Sequence, residues 1–373
     1  MVAQNFSLKI YSPDASLLEE WSCNQLKPLI ITQDVTECLN QAFSVAIVIS
    51  YSNRPNQPWY DKNLKDVDLS QFDLVLIKDM FWRSFDELSQ GFIAPNNIKK
   101  FIVTSDNHEI CHENVLYNPY WFLKHVDFCQ LQDVDYTTSK NFLFEVLLGS
   151  PRPHRFFVFA LLQQNKKIFD NSVVTFRSEF LYGGQNFDKE VQNLHPFIKN
   201  ELNKGTVELP YVSPNMKAEW ENTDELNRQY FIDGIDIPWK VYNNTWYSIC
   251  TETQTEPSGM PKITGITGKL FLAKRVFIMF GYQGTLKLLK KLGFLTFDAI
   301  INEEYDNESN SIQRWKMAYE QVELLATLNP FEVYESTKNI RDHNYNRMLE
   351  LKQELKLKHN NILLKNIPVE FIN

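Results

Sequence analysis

Apolar residues in this chain come in short, separated bursts. In the first 140 residues the bursts are Phe6 to Tyr11, Phe43 to Ser50, Leu74 to Ile77 and Phe101 to Thr104. They are rich in β-branched residues and recur every ~25–35 positions, the spacing of strand–helix–strand units. Several are apolar at every position, as strands of a parallel sheet covered on both faces must be. The pattern predicts an α/β first half, closed by a helix over residues 138–148. Gly149-Ser150-Pro151-Arg152-Pro153 then interrupts the pattern and marks the expected domain boundary.

Beyond it, the pattern predicts a helix from Arg155 to Gln164, a strand from Val173 to Phe176 and a helix from Asp188 to Leu202. Residues 203–240 are polar, with interspersed prolines and aromatics, and read as an irregular insertion. Next, a strand (Tyr247 to Cys250) stops at Glu252, a Gly/Thr-rich turn follows, and a short helix carries Lys269. A second strand (Val276 to Phe280) ends at Gly281, and Tyr282-Gln283-Gly284 opens a helix from Thr285 to Leu292. Polar and glycine residues thus collect at strand carboxyl ends, where open α/β sheets bind ligands. A helix from Ile312 to Thr327 and a charged one from Phe331 to Leu357 complete the pattern. Apolar positions in the latter are sparse (Val333, Ile340, Met348, Leu351, Leu355), so it is expected to pack along one side. The expected organisation is residues 1–148, 149–330 and a helical extension over 331–373.

Composition narrows the function classes. With 43% hydrophobic and 23% charged residues, the 373-residue chain is globular and long enough for two domains. Its net charge of −8 argues against a wide phosphate-neutralising surface, so nucleic acid is not an expected partner except through a local patch. Five cysteines without a C-x-x-C pair suggest reduced thiols and a cytoplasmic setting. No basic segment leads into an apolar one at the N-terminus, and no apolar run approaches a membrane span, so neither a signal peptide nor a spanning segment is expected.

Three segments carry candidate chemistry. Arg152, His154 and Arg155 stand where a helix begins, which places cations at the end that the helix dipole makes positive. An anion such as a diphosphate would relieve that conflict; the alternative is a solvated basic linker. Asp106, His108 and Glu109 follow the fourth strand, where a carboxylate or imidazole could remove a proton from a hydroxyl; they could equally cap the turn. His108-Glu109-Ile110-Cys111-His112 also fits the zinc-peptidase pattern H-E-x-x-H, but it directly follows a strand and lacks room for the helix that chemistry requires. Asp133-Val134-Asp135 has the D-x-D spacing but lies in a polar segment away from any strand end, so no metal is expected.

The run G-x-P-R-x-H-R, a T-E-T strand end, I-T-x-K, x-x-R-x-F-I-x-F-G, L-x-x-L-x-x-L-G-F-x-T-F and E-x-Y-D resembles bacterial and phage-type glycosyltransferases distantly similar to fucosyltransferases. The resemblance covers roughly residues 148 to 306; the first 140 residues share only the fold pattern. It implies two Rossmann-like domains in the GT-B arrangement, the second holding a nucleoside-diphosphate sugar and the first a glycan or small-molecule acceptor. It further implies Arg152 and Arg155 on the donor phosphates, Glu252 near the ribose or sugar, Lys269 near the phosphates, and Gly281 and Gln283 at the donor. No cofactor is implied beyond that co-substrate. One departure stands out: the family usually has Thr-Glu-Lys where this chain has Thr267-Gly268-Lys269. The missing carboxylate could be replaced by Glu252 or Glu256, or could mark a protein that binds without transferring.

Overall fold

The computed structural model describes residues 8–12, 29–51, 67–80, 85–108, 110, 112–128, 138–149, 151–176, 196–202, 211–214, 237–253 and 260–371. It is a mixed α/β protein with two predominantly parallel sheets and a long helix near the end of the chain. Two compact units divide it. One comprises residues 1–120 together with 352–373, the other residues 121–351. Among the described residues no helix is long and apolar enough to cross a membrane.

The first unit holds β1 (Leu8–Tyr11), β2 (Leu29–Thr32), β3 (Val45–Tyr51), β4 (Leu74–Met80), β5 (Phe101–Ser105) and β6 (Val115–Tyr117). All are parallel, in the order β2-β1-β3-β4-β5-β6. Helices α1 (Val35–Leu39) and α2 (Phe85–Leu88) accompany them. Side chains alternate across the sheet, and both faces are covered. Ala46, Val48, Val75, Ile77 and Val103 pack with Cys38, Leu88, Ile93 and Ile98. Ile10, Val45, Ile47, Leu74, Leu76 and Ile102 pack instead with Leu363 and Ile367, from the last part of the chain. This double covering is why β3 and β4 read as unbroken apolar runs.

The second unit contains α3 (Tyr120–Leu123, from its second residue), α4 (His125–Phe128), β7 (Phe142–Leu148), α5 (Pro153–Gln164), α6 (Lys166–Asp170), β8 (Ser172–Phe176), α7 (Pro196–Leu202), β9 (Tyr211–Val212) and α8 (Trp239–Asn244). It continues with β10 (Thr245–Thr251), α9 (Gly265–Leu272), β11 (Val276–Phe280), α10 (Thr285–Lys291), α11 (Ser311–Leu325), α12 (Pro330–Ser336) and the first part of α13 (Lys338–Asn366). The strand order is β11-β10-β7-β8-β9, with only β9 antiparallel. From β7 the chain passes to β8 on one side and later returns to place β10 on the other. The sheet therefore reverses its winding between β7 and β10, and the carboxyl ends of these two strands flank a topological switch point.

Two expectations are corrected. Residues 142–148 form a central strand, not a helix. Phe-Leu-Phe-Glu-Val-Leu-Leu has few polar positions to reveal a period, and a short buried run has the same appearance in either structure. Gly149 consequently lies inside the second sheet's first strand–helix connection, and the division between units falls at residues 120/121. The helix expected over residues 331–357 is two helices separated at Thr337. There the Thr337 hydroxyl donates to Val333 O (2.8 Å) and Arg341 donates to Tyr334 O (2.6 Å), satisfying carbonyls at the break. The division between the two units falls inside α13, between Leu351 and Lys352.

Arg275 fixes the amino end of the second sheet. It is 1% exposed and makes five hydrogen bonds, to Ser248 Oγ, Tyr242 O, Thr245 O, Thr245 Oγ1 and Tyr247 O. Five is the full donor complement of a guanidinium. Glu145 on β7, also buried, adds a nearby opposite charge; burial raises its pKa, and Arg275 is the largest opposing influence.

Candidate functional site

The switch point of the second sheet is basic. After β7, Gly149 and Pro151 lead to Arg152, the residue that precedes the first turn of α5, with Pro153 in that turn. Arg152, the N-cap residue, makes no side-chain capping bond, whereas Thr264, Asn310 and Asn329 cap α9, α11 and α12. Arg155 is 4% exposed and reaches across to the end of β10, donating from Nε to Thr251 Oγ1 (3.3 Å) and from Nη2 to Thr251 O (3.2 Å). Gly149 lets it lie close, because a Cβ there would stand 3.0 Å from Nη1.

His154 is fully buried, its Nε2 2.8 Å from Glu252 O. A carbonyl can only accept, so Nε2 carries the proton. Burial, reinforced by the charges of Arg155 and Arg152, holds its pKa well below the usual histidine range, and the ring is neutral. Arg314 adds a third guanidinium beside the same edge, bonded to Gly281 O (3.2 Å) after β11 and to Glu308 O (2.7 Å). Arg155 and Arg314 are buried; Arg152 keeps partial exposure and is the member of the trio that solvent reaches.

Glu252 is differently employed. It is 0% exposed. Its Oε2 accepts from Thr253 N (2.9 Å) and Thr264 Oγ1 (2.7 Å); its Oε1 accepts from Thr264 N (2.9 Å) and Thr267 Oγ1. It is a carboxylate tying the end of β10 to the start of α9, with both oxygens taken by protein donors and not turned toward a ligand. Replacing Glu252 with Ala is expected to strand several buried donors and to destabilise the chain by about 3–5 kcal/mol. Chemical denaturation of the variant checks this, and a loss below about 1 kcal/mol would contradict the account.

Lys269 also faces inward. It is 9% exposed in α9, and its charge is felt by Glu145 in the middle of β7. At Gly281 a Cβ would come within 2.8 Å of Thr285 Oγ1, so the close approach there is to the protein's own helix. Gln283 donates from Nε2 to Asn307 O (2.8 Å). The start of α10 is already occupied: the Asp306 carboxylate accepts from Leu286 N and Lys287 N, each at 3.0 Å. Gly268 has a packing reason as well, since a Cβ at that position would lie 2.2 Å from Phe122 O. Glu256 lies outside the described residues.

In the first unit, Asp106 and His108 follow β5. The His108 ring stands edge-on to Tyr117 of β6, centroids 6.2 Å apart. Burial, with the Asp106 charge second, pushes the Tyr117 phenol above its ordinary range. These three side chains therefore form one neighbourhood at the carboxyl edge of β5 and β6. Glu109 lies outside the described residues, as do Cys111, Asp133 and Asp135. No helix carries His108 and His112, so the zinc-peptidase geometry is not formed. His112 instead accepts from Asn114 N at Nδ1 (3.1 Å) and stacks on Phe101.

No family model, curated protein or solved structure matches the chain. Sequence reasoning missed Arg314, Thr251 and Tyr117 as members of these clusters. Arg314 was findable in principle as an arginine in line with the apolar stripe Ala318, Val322 and Leu325 of its helix; the other two have no distinguishing signal.

Proposed function

We propose that the chain is a glycosyltransferase using a nucleoside-diphosphate sugar, with two Rossmann-like units in the GT-B manner. The observation that carries this reading is the α5 start at the β7/β10 switch point, where Arg152 and Arg155 stand at a helix N-terminus whose N-cap residue is a cation that makes no capping bond. Backbone N–H groups and guanidinium forks suit a diphosphate, whose two phosphates they neutralise without a metal ion. In the mechanism Arg152 contacts the phosphates. Arg155 holds the edge of β10 and adds charge. Together they stabilise the leaving nucleoside diphosphate as the glycosidic bond to it breaks. In the first unit Asp106 or His108 takes the proton of the acceptor hydroxyl. Glu252, Lys269 and Gly281 shape the donor site from behind, not by contact. The acceptor is a glycan or small molecule before it is nucleic acid, in keeping with the net charge. A cytoplasmic setting accords with Cys38 and Cys250, both buried free thiols.

A second reading, a nucleotide-sugar-binding protein without transferase activity, is favoured by one observation: Glu252 and Lys269 are both buried in the fold.

A thermal-shift panel with UDP, GDP, ADP, CMP and dTDP, with and without EDTA, tests both. At a hundred times its Kd a ligand stabilises by about 2.7 kcal/mol, a rise of several degrees. One nucleotide is expected to give that rise with EDTA present, and Arg152→Ala to remove it without lowering the unliganded Tm. No rise with any nucleotide would sink the donor site. Binding without turnover of the matching nucleotide sugar would select the second reading.

A further inference from the structure

β7 is the middle strand of the second sheet, and Glu145 stands near the middle of β7. Its register partners are Ser248 on β10 and Val173 on β8. The side chain is 5% exposed, and its Oε2 is enclosed and has no hydrogen-bond partner. An ionised carboxylate needs donors for both oxygens before burial becomes tolerable.

The neighbouring groups do not supply them. Arg275 is the strongest cationic influence on Glu145, yet its five donors go to Ser248, Tyr242, Thr245 and Tyr247. Ser248 Oγ accepts from Arg275 Nε (3.0 Å), and its own hydroxyl proton serves the Glu145 carboxyl, as does Leu147 N–H. Lys269, from α9, adds a weaker attraction. Cys250 and Glu252 lie further along β10; burial, then the Glu252 charge, hold the Cys250 thiol well above its ordinary range, and it stays neutral. With no Arg275 donor left for the carboxyl, burial dominates, and Glu145 keeps its proton above the usual carboxylate range.

The sign is opposite to that of an ion-paired carboxylate. Below the ordinary glutamate value, Glu145 is neutral in the folded and the unfolded chain, and no stability is lost. As pH rises toward the raised folded value, the unfolded chain ionises freely and the folded one does not. Stability falls through that interval, and the loss is complete above it.

We infer that Glu145 is a proton switch at the centre of the second sheet: neutral, it is tolerated between β7 and β10; ionised, it weakens their pairing. Arg152 follows the end of β7, and Thr251 ends β10. Loss of the proton therefore loosens the frame of the basic edge from within, whatever ligand that edge takes.

The test compares the Tm of the full-length wild type and Glu145→Gln from about pH 5 to about pH 8. Glutamine keeps the shape of the neutral acid and cannot ionise. Glu145→Gln is expected to gain on the wild type as pH rises, by roughly 3 °C or more across the range. A variant that loses on the wild type as pH rises would show that the ionised carboxylate serves Arg275, and would overturn the inference. A constant difference would overturn it as well. Should Glu145→Gln fail to fold, infrared spectra of the wild type carrying isotope-labelled glutamate decide. A protonated-glutamate carbonyl band that persists after exposed glutamates have ionised supports the switch, and its absence overturns it. No nucleotide enters either measurement, so the outcome is separate from that of the nucleotide panel.

Discussion

Deleting residues 352–373 is expected to leave a chain whose first unit does not fold. The deletion removes Leu363 and Ile367, which cover Ile10, Val45, Ile47, Leu74, Leu76 and Ile102, all at most 3% exposed in the intact chain. It also removes the Lys100–Asn366 bond at the amino edge. Each large-to-small loss in such a core costs about 2–5 kcal/mol, and total stability is commonly about 5–15 kcal/mol. Losing the entire covering segment therefore consumes most or all of it. Hydrogen exchange should show the amides of β1, β3, β4 and β5 unprotected while β7, β10 and β11 keep protection. Dye binding to the uncovered face should rise. A truncated chain that melts like the intact one would show that the C-terminal segment is dispensable to the sheet.

Introducing the carboxylate of the glycosyltransferase pattern that this stretch resembles, by Gly268→Glu, is expected to damage the protein. The obstacle at 2.2 Å is a backbone oxygen, Phe122 O, which cannot rotate aside as a side-chain tip could. Met348 Cε stands 3.2 Å away on another side. Even Gly268→Ala should cost about 3 kcal/mol or more, at the upper end of overpacking effects, which lowers Tm by roughly 6–12 °C. The glutamate variant should lose at least as much and gain no transferase activity. A Gly268→Glu protein with unchanged Tm would mean that the α3 segment moves away freely. With Phe122 O in place, local packing accounts for the glycine, and its departure from the pattern it resembles is not by itself a sign of lost catalysis.

Much of the fold was legible because covered parallel strands must be apolar at nearly every position. Phe43 to Ser50, Val173 to Phe176 and Val276 to Phe280 could be located from that alone. The same rule misled at β7, where a run without polar punctuation has no visible period. β2 and β6 are four and three residues long, too short to stand out. α13 looked poorly amphipathic for a physical reason: Met348 and Leu351 belong to one unit, while Leu355, Leu363 and Ile367 belong to the other. A helix serving two cores shows no single continuous stripe.

The candidate site was legible to a different depth. A basic helix start with no anionic neighbour in sequence signals itself through the dipole, and Arg152 and Arg155 do stand at a switch point. Capping across long sequence distances is silent. Thr264 and Thr267 are 12 and 15 positions from Glu252, and Asp306 is about 20 from the N–H groups it caps. Nothing in the local pattern links such partners, so a buried structural carboxylate and a ligand-binding one are written identically.

The dependence of the first sheet on Leu363 and Ile367 also bears on how the protein is made. Strands β1 to β6 leave the ribosome before any residue of 121–351, yet Leu363 and Ile367, which among the described residues complete the packing on one face of their sheet, follow only after residue 351. At roughly 5–20 residues per second that interval is on the order of ten to fifty seconds. During translation the second unit can complete itself first, despite being encoded later. The nascent first unit must spend the interval without the packing of Leu363 and Ile367 on that apolar face, the kind of surface that chaperones bind.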